Sequence, residues 1–143
     1  MGIVLDSSVL IAAERKRFDV ARFLFAHSEE HFFITSITAS ELLHGCARAA
    51  DAAIRERRTR FVEDVLQDYA LLPFHLPEAR EHARLWAELE RQGALIGERD
   101  LFIAAIAKTT GHSVATLNRD EFGRVPGLAL VDVGAFELTR ENK

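Results

Sequence analysis

Leu101-Phe102-Ile103-Ala104-Ala105-Ile106-Ala107 is the stretch on which the fold turns. Seven apolar residues in a row leave no polar face, so a helix made of them must be buried against the flank of a sheet. Gly111 closes that helix, and Ser113-Val114-Ala115-Thr116 follows as a strand, the fourth from the N-terminus. Working back from there, Pro77 suits the first turn of a preceding helix that Gly93 ends. That helix has Ala79, Ala83, Trp86 and Leu89 on one face, which places Trp86 in the core. Leu71-Leu72 reads as the third strand, stopped by Pro73. Before it comes an amphipathic helix over 52–69 with Ile54, Phe61, Val62, Val65, Leu66 and Tyr69 at helical spacing.

Closer to the N-terminus, Ser36 or Thr38 starts a helix carrying Glu41-Leu42-Leu43. Phe32-Phe33-Ile34-Thr35 is the second strand, after a helix over 18–27 whose stripe is Phe18, Ala21, Arg22 and Phe25. Ile3-Val4-Leu5 is the first strand, ending in Asp6, and Ser7-Ser8 offer caps for a short helix through Val9-Leu10-Ile11. Beyond the fourth strand, Leu128-Ala129-Leu130-Val131 reads as a fifth. Strands alternating with helices predict an α/β/α sandwich around a central, mainly parallel sheet of about five strands. Residues 1–137 are expected to form a single domain and 138–143 a frayed polar tail.

Composition narrows the function. With 143 residues, 48% of them hydrophobic and 28% charged, the chain has the make-up of an ordinary globular domain. Phe dominates the aromatics, as suits core filling. A net charge of −4 argues against a protein that merely coats nucleic acid, but not against a nuclease, because a metal site needs carboxylates whose charge bound cations offset. Cys46 is the lone cysteine. It has no disulfide partner and no zinc pattern around it, and fits a buried position in a reducing compartment. No run reaches the length of a membrane span. The apolar N-terminus lacks a positive leader and is broken by Asp6-Ser7-Ser8, so we read it as the start of a cytoplasmic domain.

In open parallel sheets, ligands bind beyond the carboxyl ends of the strands. Asp6 follows the first strand directly, Glu41 lies about a turn beyond the second, Asp100 opens the buried helix, and Thr116-Leu117-Asn118-Arg119-Asp120-Glu121-Phe122 follows the fourth. Hard divalent cations take oxygen ligands, and a cation held there activates water and stabilises charge on a phosphodiester. Each residue also has a purely structural reading. Asp6 suits an N-cap. Glu41 completes a Thr38-x-x-Glu41 capping box. Asp100 complements a helix dipole, and Asp120 and Glu121 suit a solvated loop. Arg55, Arg57, Arg58 and Arg60 form either an RNA contact or a solvated face with a Glu56–Arg60 pair. His44 shares the helical face of Glu41.

Four segments, in order, resemble the PIN domain, and within it the toxin nucleases of the VapC group. They are Ile3-Val4-Leu5-Asp6-Ser7-Ser8, Ser36 through Gly45 around Glu41, Ile96-Gly97-Glu98-Arg99-Asp100-Leu101-Phe102-Ile103-Ala104-Ala105, and Thr116-x-Asn118-x-x-x-Phe122 with Val125-Pro126-Gly127-Leu128. The resemblance spans nearly the whole chain and implies a PIN-like fold and a Mg²⁺- or Mn²⁺-dependent endoribonuclease. It also implies neutralisation by a cognate antitoxin and a homodimer. Its implied ligands are Asp6, Glu41 and Asp100, with Asp120 as a candidate fourth. Ser7, Thr116, Asn118 and Glu121 would support them, and Arg55 and Arg58 would contact an RNA substrate, tRNA among the candidates. Many PIN domains carry an acid where this chain has Asn118, which offers a carbonyl but no charge. Two rival readings remain. One is a catalytically inactive PIN-like module that binds RNA or protein. The other is a haloacid-dehalogenase-type phosphatase, which needs a second Asp where Ser8 stands.

Overall fold

The computed structural model describes residues 2–139. Its first strand, β1 (Gly2–Leu5), is buried along its whole length, as a strand covered on both faces must be. β2 (His31–Thr35), β3 (Ala70–Leu72) and β4 (Ser113–Ala115) join it in the order β3-β2-β1-β4, and every pairing is parallel. The register sets Leu5 beside Ala115 and Thr35 beside Leu72. All four carboxyl ends therefore lie along one edge, and Asp6 and Thr116 leave the sheet side by side.

Alternation along β1 divides the core. Ile3 and Leu5 pack with Val9, Leu10, Phe23, Ile34 and Val62 on one face. Val4 packs with Leu85, Leu89, Ile103 and Phe122 on the other. The first layer comes from α1 (Ser7–Glu14), α2 (Val20–Ala26), α3 (Ser36–Ala47) and α4 (Ala52–Asp68), the second from α5 (Leu76–Arg91) and α6 (Glu98–Thr110). In α6 Leu101 and all of Ile103 to Ala107 are buried, and Gly111 ends the helix at φ +75°, a conformation that costs glycine no steric clash. A short helix, α7 (Arg119–Phe122), follows β4. Cys46 is buried in α3. Among the described residues, no helix is long and apolar enough to cross a membrane.

Three expectations need correction. The fifth strand is a single parallel bridge, Val114 to Leu130. Val114 donates to Ala129 O and accepts from Val131 N, both at 2.9 Å, and the ladder goes no further, so the sheet has four strands. The stripe drawn from Phe18 fails because α2 starts only at Val20, capped by the Asp19 side chain on Arg22 N. That restart turns Phe23 inward and leaves Phe25 81% exposed. Trp86 is 49% exposed. Leu89 of the expected stripe does face inward, but its buried partner on α5 is Leu85, one residue or about 100° of helix from Trp86. Of the expected tail, Leu138 N still bonds Arg17 O at 2.8 Å, and 140–143 lie outside the described residues.

Candidate active site

Asp6 occupies the N-cap position of α1 but does not use its side chain as a cap. Its carboxylate is turned across the sheet edge instead. Oδ2 accepts from Ser8 Oγ at 2.7 Å and from Thr116 Oγ1 at 2.8 Å. Those hydroxyls are themselves fixed, since Ser8 Oγ accepts from Leu117 N at 3.0 Å and Thr116 Oγ1 from Asn118 N at 2.9 Å. Asp6 is 2% exposed, and its other oxygen, Oδ1, is buried with no hydrogen-bond partner.

Glu41 is in the same condition. The helix that carries it is capped by Thr35, whose side chain accepts from Thr38 N at 3.1 Å. The Thr38–Glu41 capping box therefore does not form, because the hydroxyl at the end of β2 has already taken that amide. Glu41 is released to face Ser7, and its Oε1 is buried without a partner. Burial, then the charge of Asp6, pushes its carboxyl above the ordinary value. An orphaned carboxylate oxygen costs free energy that a hydrogen bond or a cation would recover.

Asp100 stands in the first turn of α6. Asn118 Nδ2 donates to Asp100 Oδ2 at 2.7 Å and to Glu121 Oε2 at 2.5 Å. With a carboxyl oxygen at each contact, that corner of Asn118 must be the amide donor. Asn118 thus braces two acids rather than offering its carbonyl between them. Glu121 also accepts from Gly97 N at 3.0 Å. Asp100 is pushed up to about 7, first by burial, then by its hydrogen bond with Glu121 and the charge of Asp6. Glu121 moves the other way, held down chiefly by that same bond and by Asn118. Of the two carboxyls, Asp100 is therefore the more readily protonated. Asp120 is exposed on the same short helix. Glu121, one residue on, is the acid in contact with Asn118.

Ser40, Glu41, Gly97, Asp100 and Phe102 line an open cleft of about 540 Å³. A hard cation fits this donor set, which supplies two unpaired buried oxygens and a third acid whose carboxyl is raised by burial and its acidic neighbours. No three acidic, His or Cys side chains among the described residues stand ready-made as a cage. Carboxylates left without a counter-charge repel, and Mg²⁺ needs only one or two of them, with water and phosphate for the rest. Mg²⁺ and Mn²⁺ both fit that description.

Other sequence-derived candidates spread more widely. Arg55 donates to Ala49 O, with Nε at 2.9 Å. Arg58 reaches Glu14 Oε1 at 3.4 Å and Gly45 O at 3.2 Å, in the wall of a second cleft with His44. Arg60 pairs with Glu56 at 2.8 Å on the solvated face. Sequence reasoning missed Ser8 and Arg99. Ser8 sits two residues after Asp6, and a hydroxyl at that distance is a readable signal. Arg99 precedes Asp100, lies in both clefts and stabilises the charge on Glu41.

The PIN domain family matches the chain over residues 3–128. Ribonuclease VapC1 of Rickettsia felis is 34% identical over 94% of this chain and 98% of its own length. The tRNA(fMet)-specific endonuclease VapC of Salmonella typhimurium is 30% identical over 92% and 98%. Among solved structures, DNA-bound VapBC of Salmonella typhimurium superposes with a TM-score of 0.83 at 28% identity, covering 92% of this chain and 98% of that one. A member of the VapBC family of toxin-antitoxin systems, VapBC-5 of Mycobacterium tuberculosis, gives 0.72 at 32% identity, covering 92% and 97%.

Proposed function

Because the chain belongs to the PIN-domain family, and within it to the VapC ribonucleases, we propose that it is a divalent-metal-dependent endoribonuclease. We further propose that it is the toxin of a toxin–antitoxin pair, neutralised by a cognate antitoxin. The observation that carries the metal dependence is the pair of buried, partnerless oxygens on Asp6 and Glu41 beside a third acid that holds a proton near neutrality. Buried polar atoms are nearly always satisfied, so two orphans on separate elements at one sheet edge imply a missing cationic partner.

In this reading Asp6, Glu41 and Asp100 hold Mg²⁺ or Mn²⁺, directly or through water. The ion supplies Lewis-acid activation of water and charge stabilisation on the scissile phosphodiester. Ser8 and Thr116 fix the Asp6 carboxylate through Oδ2, which leaves Oδ1 for the ion. Asn118 keeps Asp100 and Glu121 together, and Asp100 gives up its proton to solvent as the ion binds. Ser7 orients Glu41. Asp120 remains outside this assignment, and Glu121 takes its place as the fourth acid. RNA, with tRNA among the candidates, is the substrate. The named relative that cleaves tRNA(fMet) supports that choice. We take the working form to be a cytoplasmic homodimer comprising one domain over 1–137.

The test is cleavage of structured RNAs, tRNA included, by the purified chain with Mg²⁺, with Mn²⁺ and with EDTA, alongside Asp100→Asn. Metal-dependent cleavage that the variant loses is the expected result. Equal cleavage by the variant would move the activity to another site or to a contaminant. A folded, antitoxin-free protein silent in every metal would overturn the enzymatic reading in favour of a binding module.

A further inference from the structure

The cleft over Glu41 and Asp100 does not end at the acids. A second cleft, of about 610 Å³, shares Ser40, Glu41 and Arg99 with it, so the two run into one another across Glu41. Their chemistry differs. The first has Asp100, Glu98 and Phe102 in its wall. The second has Arg15, Arg48, Arg58 and Arg99 against Glu14 and Glu41. In a chain of net charge −4, four guanidinium groups around one groove are a local reversal of sign, which attracts anions.

The four are not equivalent. Arg58 is pinned by Glu14 and Gly45 O and shapes the wall. Arg48 and Arg99 are exposed. Among the described residues no side-chain hydrogen bond or ion pair engages Arg48, and Arg99 meets Glu41 through charge alone. Glu41 and Arg48 are on the same helix or its cap, seven residues apart, which is about 10 Å along the axis. On that spacing Arg48 is placed for a neighbouring phosphate of the same strand rather than for one seated over the acids. Arg99 lines both clefts beside Glu41. A guanidinium presents a fork of donors matched to phosphate oxygens, and free ones have that capacity to spare.

We propose that Arg48 and Arg99 form a phosphate-binding arm that grips the RNA backbone to one side of the cut, Arg99 at the junction and Arg48 at the far end. The proposal rests on the ribonuclease reading and moves the RNA contact from Arg55, which lies outside both clefts, to Arg48 and Arg99. It gives the groove a direction, because one side of the acids holds backbone and the other, with Phe102 and Glu98, does not.

The experiment measures binding of a short fluorescein-labelled single-stranded RNA over a salt series in EDTA, with Asp6→Asn as the cleavage-silent background. Into it go Arg48→Ala, Arg99→Ala, both together, and Arg57→Ala as a control on the exposed face of α4 outside both clefts. Each arm variant should weaken binding several-fold and lower the slope of log K against log salt by about 0.7, the double variant by twice that. Arg57→Ala should leave the slope unchanged. In steady-state cleavage by the Asp6-containing protein, Arg48→Ala should raise KM with little change in kcat. Melting curves matching the parent exclude misfolding as the cause. Unchanged affinity and slope in both arm variants would overturn the proposal, and so would an equal loss in Arg57→Ala. Normal RNA binding with loss of antitoxin binding would assign the arm to the antitoxin and also overturn it. A parent chain that neither binds nor cleaves RNA would overturn the ribonuclease reading itself, a distinct outcome.

Discussion

The two halves of the acidic site are held in opposite ways. At the end of β1, Asp6 is fixed by two hydroxyls that are themselves fixed by backbone amides. At the start of α6, Asp100 is kept in place by the Asn118 amide, and burial with two neighbouring acids raises its carboxyl to about 7. The first half is set by the sheet. The second half is the one whose charge changes near neutral pH, so on the proposed reading a cation competes there with a proton. Preorganisation thus comes from the parallel sheet, and pH sensitivity from the helix start.

That contrast can be broken most severely at Asp6. Asp6→Asn removes one charge from the fixed half and should lower cleavage by at least about 10²-fold, the order seen when a single preorganised charge-stabilising group is lost. Thermal melting in EDTA should show the variant as stable as the parent or more so, because it relieves repulsion with Glu41 and Asp100. Normal cleavage would remove Asp6 from the site. A smaller effect is expected at the brace of the other half. Asn118→Ala should weaken Mn²⁺ binding by roughly 10-fold, the lower end for loss of a supporting partner, as read by calorimetry. An unchanged affinity would mean that Asn118 only caps α7. Smallest is Ser8→Ala, which deletes one of two donors to Asp6 and the acceptor for Leu117 N. It should cost about 1 kcal/mol of stability, measured by urea denaturation, with cleavage reduced less than in Asn118→Ala because Thr116 still holds Asp6.

The fixed half was the more legible in the sequence, and for a physical reason. A strand followed at once by Asp6, and another followed by Thr116, must bring those residues to one edge once the strands are parallel neighbours. The spacing of Ser8 from Asp6 was legible, but what fixes Ser8 was not, because the amide of Leu117 is distant in sequence and adjacent only through the β1–β4 pairing. Glu41 was ambiguous because a capping box with Thr38 gave it a structural role, and only the end point of β2, which makes Thr35 the cap, removes that role. Asn118 was legible as a supporting residue offering its carbonyl, but its role as a donor needs both Asp100 and Glu121 in reach. Trp86 was misplaced because Leu89 has apolar neighbours at both i−3, Trp86, and i−4, Leu85, and only the packing of α5 chooses Leu85. The fifth strand failed because apolar residues near a sheet edge need a partner long enough to pair with, and β4 is three residues.

Proton linkage at Asp100 makes the central claim measurable without RNA. With its carboxyl raised to about 7 in the folded chain, the native state binds more protons than the unfolded state between roughly pH 4 and 7. Metal-free stability should therefore fall as pH rises through that window and level off above it. Glu41, raised as well, contributes with the same sign. Glu121, lowered, contributes oppositely and at more acid pH. A cation taking the ionised site reverses the trend, since it must expel the Asp100 proton. The most direct measurement is calorimetric titration of Mn²⁺ into the protein across pH 5.5 to 8, in buffers of different ionisation enthalpy. The account predicts an affinity that climbs about tenfold per pH unit below 7 and then flattens, with about one proton released per ion on the acid side. Both effects should shrink in Asp100→Asn. An absence of binding, or binding that neither follows pH nor releases a proton, would contradict the claim that these acids form a cation site.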